Sequence, residues 1–206
     1  MDSAVVYGIR RIGAATSGVP NSERSSVRGT WAGQTAMITN DYIHELAEFS
    51  RWQNDSVYRL CEEIGPEERD RDRGMFFHSI HRTLDHFCVV NRAILTFLDG
   101  ALPESQPLGQ AVWPDWEELK SVRVEQDNQL LQGARHWTSA WLAEKTTRRG
   151  PQYGPFPAVP RWVMVVQIFN HQTHHRSQVT AALHSMGIDY GTTDIPWRPG
   201  AGFFAG

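Results

Sequence analysis

The stretch Gln167-Ile-Phe-Asn-His-Gln-Thr-His-His-Arg-Ser-Gln-Val179 decides how this chain is read. His171 and His175 are four residues apart, so on a helix their imidazoles leave one face about a turn apart, close enough to hold one cation. His174, three residues from His171, is an alternative partner. The surrounding sequence favours a helix: Pro160 suits a first turn, neither Gly nor Pro follows until Gly187, and Gly is usual just past a helix end. Gln167 and Gln178 extend the polar stripe and Asn170 and Arg176 flank it, while Val163, Val166, Phe169, Val179, Ala182 and Leu183 supply apolar contacts. A single His pair at this spacing is common by chance. A polar stripe along a helix that also needs burial points at a site or at partner side chains.

Outward from this stretch, three more segments keep a helical period. The first runs from about Asp41 to Ile64, with Thr39 or Asn40 as N-cap and Leu46, Phe49, Val57 and Leu60 on one face. Gln53 interrupts that face, which places it toward the same interior as the histidines. The second runs from about Arg73 to Leu98 through Phe77, Ile80, Leu84, Phe87, Cys88, Asn91, Ile94 and Leu95. Its His78, His81 and His86 do not share one face, because His86 lies five residues beyond His81 and about 80° round from His78. One or two of them at most can reach a common metal, and spacing alone does not choose. Cys88 points nearly opposite His86 and reads as core. The third segment, from about Asp115 to Thr146, opens on Pro114-Asp115 with Glu117 and Glu118 in its first turn, and Gly133 weakens its middle.

The connections at 65–74, 99–113 and 147–160 are rich in Gly and Pro. In the last of them Tyr153 and Phe156 suit a strand-like crossover or a lid. After Gly187 a tail through Asp189, Asp194 and Trp197 either packs or frays. Four long helices joined by loops predict an all-α fold, an antiparallel four-helix bundle, and such bundles build metal sites from side chains on facing helices.

Composition narrows the function. The 206 residues suit one domain, and the net charge of −3 carries no basic footprint for nucleic acid. No apolar run approaches the roughly 20 residues of a membrane span. Cys61 and Cys88, the two cysteines, have no metal or redox spacing, which fits a reducing cytoplasm. Residues 1–36, rich in Ser, Gly, Ala and Arg, predict a disordered extension ahead of a bundle domain at 37–206. Arg10-Arg11 is not followed by an apolar segment, which argues against an export signal, and Met37 reads as a candidate start.

Three stretches then resemble a known family. Ser79-Ile-His-Arg-Thr-Leu-Asp-His-Phe-Cys-Val-Val-Asn-Arg is similar to the S-I-x-x-T-L-N-H-x-x-x-x-D-R signature of the DinB-like proteins (the DinB/YfiT type). Asn170-His-Gln-Thr-His-His-Arg-Ser-Gln-Val resembles their N-H-x-x-H-H-R-G-Q-V signature, and Arg51-Trp52-Gln53-Asn54 resembles their N-R-W-A-N start. The likeness spans about Met37 to Trp197. It implies a four-helix bundle, commonly a homodimer, that binds a divalent metal through His86, His171 and His175. The resemblance therefore selects His86 over His78 and His81. Two positions depart from the family: Asn91 stands where Asp is frequent, so no titratable carboxyl is available there, and Ser177 replaces a Gly.

Three neutral imidazoles leave a fourth tetrahedral position open, the pattern of a catalytic zinc site. The all-nitrogen set suits zinc, nickel, iron or copper and does not choose among them; zinc is the first expectation, with nickel or iron as alternatives. A metal so held acidifies a bound water or ionises a thiol. Because characterised DinB-like relatives include thiol-dependent S-transferases and an isomerase, the resemblance implies a metal-dependent enzyme using a low-molecular-weight thiol, with metal-assisted hydrolysis as a variant. Gln53, Gln167 and Gln178 are candidates to stand behind the ligands, and Gln53 and Gln178 are also candidates to contact the substrate. Arg176 is a candidate for a substrate carboxylate, or else for an ion pair on the helix surface. The competing expectation is a non-catalytic dimer or stress-response protein with a structural metal, which the neutral Asn91 favours.

Overall fold

The computed structural model describes residues 38–101, 103, 110–146 and 159–202, and all regular structure among them is helical. The extension expected before residue 37, the candidate start at Met37, and Tyr153 and Phe156 lie outside the described residues. Helix α1 (Asn40–Glu63) starts where expected because the Thr39 hydroxyl accepts from the Tyr42 amide. Gly65 then turns the chain at φ 77° into a short helix, α2 (Gly65–Asp70), within the segment read as a plain connection.

Helix α3 covers Ile80–Leu98 and begins later than periodicity predicts. Phe77 is in phase with Ile80 and Leu84, which is what extended the apparent period. Yet Ser79 caps the helix by accepting from the Arg82 amide, and Gly74 and His78 both take left-handed backbone, so residues 73–79 form a tight reversal instead. Helix α4 (Trp116–His136) is capped by Asp115 and stops short of Thr146. The reason is local: a Cβ on Gly133 would lie 2.3 Å from the Trp137 ring, so glycine lets that indole fold back against the helix and end it. Thr138 then caps a separate short helix, α5 (Ser139–Ala143). Helix α6 (Arg161–Ser185) carries the opening stretch, and the tail ends in a 3-10 turn at Ile195–Trp197.

The long helices α1, α4, α3 and α6 meet in a closed ring, each touching the next. Helices α1 and α4 run in opposite directions. Asn40 at the start of α1 donates to Ala134 O (3.0 Å) and Trp137 O at the end of α4, while Lys120 near the start of α4 pairs with Glu62 near the end of α1 at 2.7 Å. Helices α3 and α6 also run oppositely: Ile80 and Leu84 share a cluster with Val179 and Leu183, and Ile94 and Leu98 share another with Met164 and Ile168. The tail packs along α1, where Arg198 grips Glu45 through two hydrogen bonds of 2.8 and 2.7 Å.

The core comes in two apolar clusters with a polar layer between them. One holds Val57, Leu84, Phe87, Leu119 and Leu183, and the other Ile43, Leu95, Leu130, Val165 and Ile168. In every long helix buried polar residues lie between the clusters: Ser50, Gln53 and Asn54 on α1, Asn91 on α3, Arg123, Gln126 and Asp127 on α4, and His171, Gln172, His175 and Arg176 on α6. Hydrophobic burial drives the clusters together, and each polar group in the layer then needs a partner to offset its lost hydration.

Candidate metal centre

The fold gathers His86 of α3 with His171 and His175 of α6, and one nitrogen from each ring lies within 4.8 Å of the other two. His171 and His175 share a face because they are four apart on α6, and their Nε2 atoms are 3.0 Å from each other. His86 reaches them because α3 runs against α6; its ring centroid is 5.3 Å from that of His171 and 4.9 Å from that of His175. The other two histidines of the second segment are elsewhere. His81 is buried with Nε2 2.9 Å from Trp113 O, and exposed His78 faces Asp72.

Gln178 stands directly behind His175. Its Oε1 lies 2.8 Å from His175 Nδ1, and its amide nitrogen faces His174 Nε2 at 3.3 Å. With that amide orientation His175 Nδ1 carries the hydrogen and Nε2 presents a lone pair toward His171. This is the arrangement in which an amide behind a ligand fixes the coordinating nitrogen. Two facing imidazole nitrogens can share one hydrogen, whereas a cation between them uses both lone pairs. Tetrahedral zinc at about 2.0–2.1 Å from each nitrogen sets its ligand nitrogens roughly 3.3 Å apart. The His171–His175 pair is already near that separation, and with a His86 nitrogen within 4.8 Å of both the three can close round a divalent cation by a small side-chain movement.

Burial drives all three imidazoles toward the neutral form that binds metal. It lowers His86 to about 4, His171 to about 3 and His175 to about 4, with neighbouring histidines adding to the effect. The sign for stability follows. As pH falls below 6.5 the unfolded chain takes up protons that the folded, metal-free protein refuses, so stability present above pH 6.5 is lost toward pH 4. Asp127 works in the opposite sense, since burial raises its carboxyl to about 6. Comparing the chelated parent with its His171→Gln variant cancels the Asp127 contribution. Urea unfolding at pH 7.5 and pH 5 is expected to show an acid loss larger in the parent by about 1–2 kcal/mol; equal losses would contradict the neutral, buried His171.

The other residues singled out in the sequence take varied places. Gln53 is buried as expected, but its amide donates to Thr192 O at 3.0 Å and so anchors the tail. Gln167 is half-buried on α6. Arg176 is not a surface ion pair: it is 6% exposed, faces α1, and donates to Asn54 Oδ1 and Gln172 Oε1, both at 3.2 Å. Burial lowers its guanidinium to about 10. Asn54 passes the contact on, donating to Asp127 Oδ1 at 2.8 Å, and Arg123 holds Asp127 Oδ2 at 3.0 Å. Asn91 is fully buried, and neither side-chain atom has a partner among the described residues. Sequence reading missed Asn54, Arg123, Gln126, Asp127 and Gln172. The signal was there in part, as a polar break in the apolar period of each helix.

An all-helical protein with three gathered imidazoles belongs to the class of helical proteins able to hold a divalent metal. The sequence model of the DinB family matches residues 37–201, and the chain belongs to the DinB family. No curated protein and no solved structure matches the chain.

Proposed function

We propose that this DinB family member is a metal-dependent enzyme. In this reading the ring of long helices is an antiparallel four-helix bundle, acting as a cytoplasmic homodimer. His86, His171 and His175 hold a divalent transition metal, zinc in the first place and nickel or iron as alternatives. The observation that carries the reading is the convergence of three neutral imidazoles from two helices, with nothing but nitrogen in the donor set. When bound, the metal supplies Lewis acidity at a fourth position, ionising a thiol or a water there.

The residues of the chain do the holding. His171 and His175 are spaced by α6, Gln178 keeps the His175 hydrogen on Nδ1, and burial keeps the imidazoles unprotonated. Arg176 lies too deep to be a first choice for a substrate carboxylate, so substrate binding falls to the rim around His86 and His174. A low-molecular-weight thiol is the favoured fourth ligand, with S-transfer or isomerisation as the reaction and hydrolysis as the variant. The test is a titration of the cobalt-substituted protein with cysteine and with glutathione. A new sulfur-to-cobalt absorption band supports thiol ligation. No change with any thiol, beside a shift on raising pH alone, moves the reading to metal-bound water.

One observation favours a second reading, in which the metal only ties α3 to α6. No carboxylate among the described residues joins the histidines, and the carboxylate frequent in the family's motif is the neutral Asn91 in this chain. A structural metal would show a large drop in melting temperature on chelation together with a cobalt spectrum blind to every added ligand.

A further inference from the structure

We propose that Phe77 is a positioning residue of the metal centre, holding the His86 imidazole in the orientation that meets His171 and His175. This rests on reading those three histidines as ligands. His171 and His175 are fixed relative to each other by α6, and His175 also by Gln178. His86 is different: it comes from another helix, is half-exposed, and has no hydrogen bond among the described residues. What lies on its ring is Phe77, stacked with centroids 4.0 Å apart and planes 23° from parallel. The same phenyl is 5.7 Å from the ring of His175. Stacking of this kind resists rotation of the imidazole out of plane, because a pivoted ring gives up its contact area.

The backbone aims Phe77 independently of α3. Residues 73–79 reverse direction through Gly74 at φ 67° and His78 at φ 69°. The reversal is closed by Arg73 N to His78 O (2.8 Å), His78 N to Met75 O (2.9 Å) and Ser79 N to Phe77 O (2.8 Å). A non-glycine residue in the left-handed region is uncommon, and this one immediately follows Phe77. Had α3 begun at Arg73, Phe77 would follow the helix face; the reversal turns it onto His86 instead. Phe76, edge-on to Phe77 at 4.8 Å and 67% exposed, is stacked on none of the three rings of the centre and serves as a control.

The test titrates the full-length chain with Co2+. Phe77→Ala is expected to weaken cobalt binding roughly two- to tenfold, the worth of one stacked aromatic pair, and to change the visible spectrum, while Phe77→Tyr and Phe76→Ala keep both as in the parent. A role confined to packing would lower the melting temperature of metal-free Phe77→Ala and leave its cobalt affinity and spectrum unchanged, which overturns the proposal. A second measurement needs no metal: the phenyl ring current should displace the His86 ring-proton resonances, and Phe77→Ala should move them. If the parent binds no cobalt, the metal reading fails by itself. His86 resonances unmoved by Phe77→Ala overturn the positioning role in either case.

Discussion

Purified without added metal or a histidine tag, His171→Ala is expected to carry essentially no metal where the parent carries about one equivalent, the stoichiometry of a single three-histidine site. His86→Ala should behave alike, because among the described residues each imidazole is one of three donors gathered at the centre. Removing a group behind a ligand typically costs 10–100-fold in affinity, so Gln178→Leu should fall about in that range, and loss of a ligand should exceed it. Both His variants should stay folded, since the apolar clusters on either side of the polar layer do not include the histidines. Elemental analysis and zinc competition with a chromophoric chelator read the metal, and circular dichroism reads the fold. A parent with neither metal nor affinity for zinc or nickel would sink the metal centre, and variants that keep full occupancy would sink this choice of ligands.

Asp127→Ala is expected to destabilise the protein by about 3–5 kcal/mol, the cost of breaking a buried ion pair from one side. Asp127 is 3% exposed and accepts from both Arg123 and Asn54, and it is the nearby charge that offsets the burial of Arg176. Its removal leaves two buried guanidiniums, on α4 and α6, without a buried counter-charge. Against a typical domain stability of roughly 5–15 kcal/mol, the loss is large enough to shift a urea midpoint plainly. Combining Asp127→Leu with Arg123→Leu and Arg176→Met should recover much of it, because an apolar set of similar volume escapes the desolvation penalty. A loss below about 1 kcal/mol for Asp127→Ala would mean that the network does not hold these helices together.

The two expectations concern two parts of the same polar layer, and they were unequally legible in the sequence. The His171–His175 pair could be read directly, because two residues four apart on a helix have a fixed relation that no other part of the chain alters. His86 could not be chosen over His78 and His81 from spacing; the family motif chose it, and the structure places it with the α6 pair. Gln178 was legible as a neighbour of the pair on its own helix. Of the two readings of Arg176, the surface ion pair was wrong: viewed along α6 alone an arginine between polar residues looks like a solvated face, yet it is buried against Asn54.

The sequence by itself therefore determined that there are four long helices, where the first and third begin to within a residue or so, and the face on which α6 carries its histidines. These depend on local dihedrals, capping and helical phase, all set by neighbours within a turn or two. Tertiary structure decided what periodicity cannot encode. It paired Asn54 of α1 with Asp127 of α4 across 73 residues and with Arg176 of α6 across 122. It also ended α4 at the Gly133–Trp137 contact and turned Phe77 out of helical phase onto His86. Helical phase records where a side chain points on its own helix. Which group it meets there is settled only when the apolar clusters close, and the buried polar groups must then find partners on whichever helix lies opposite.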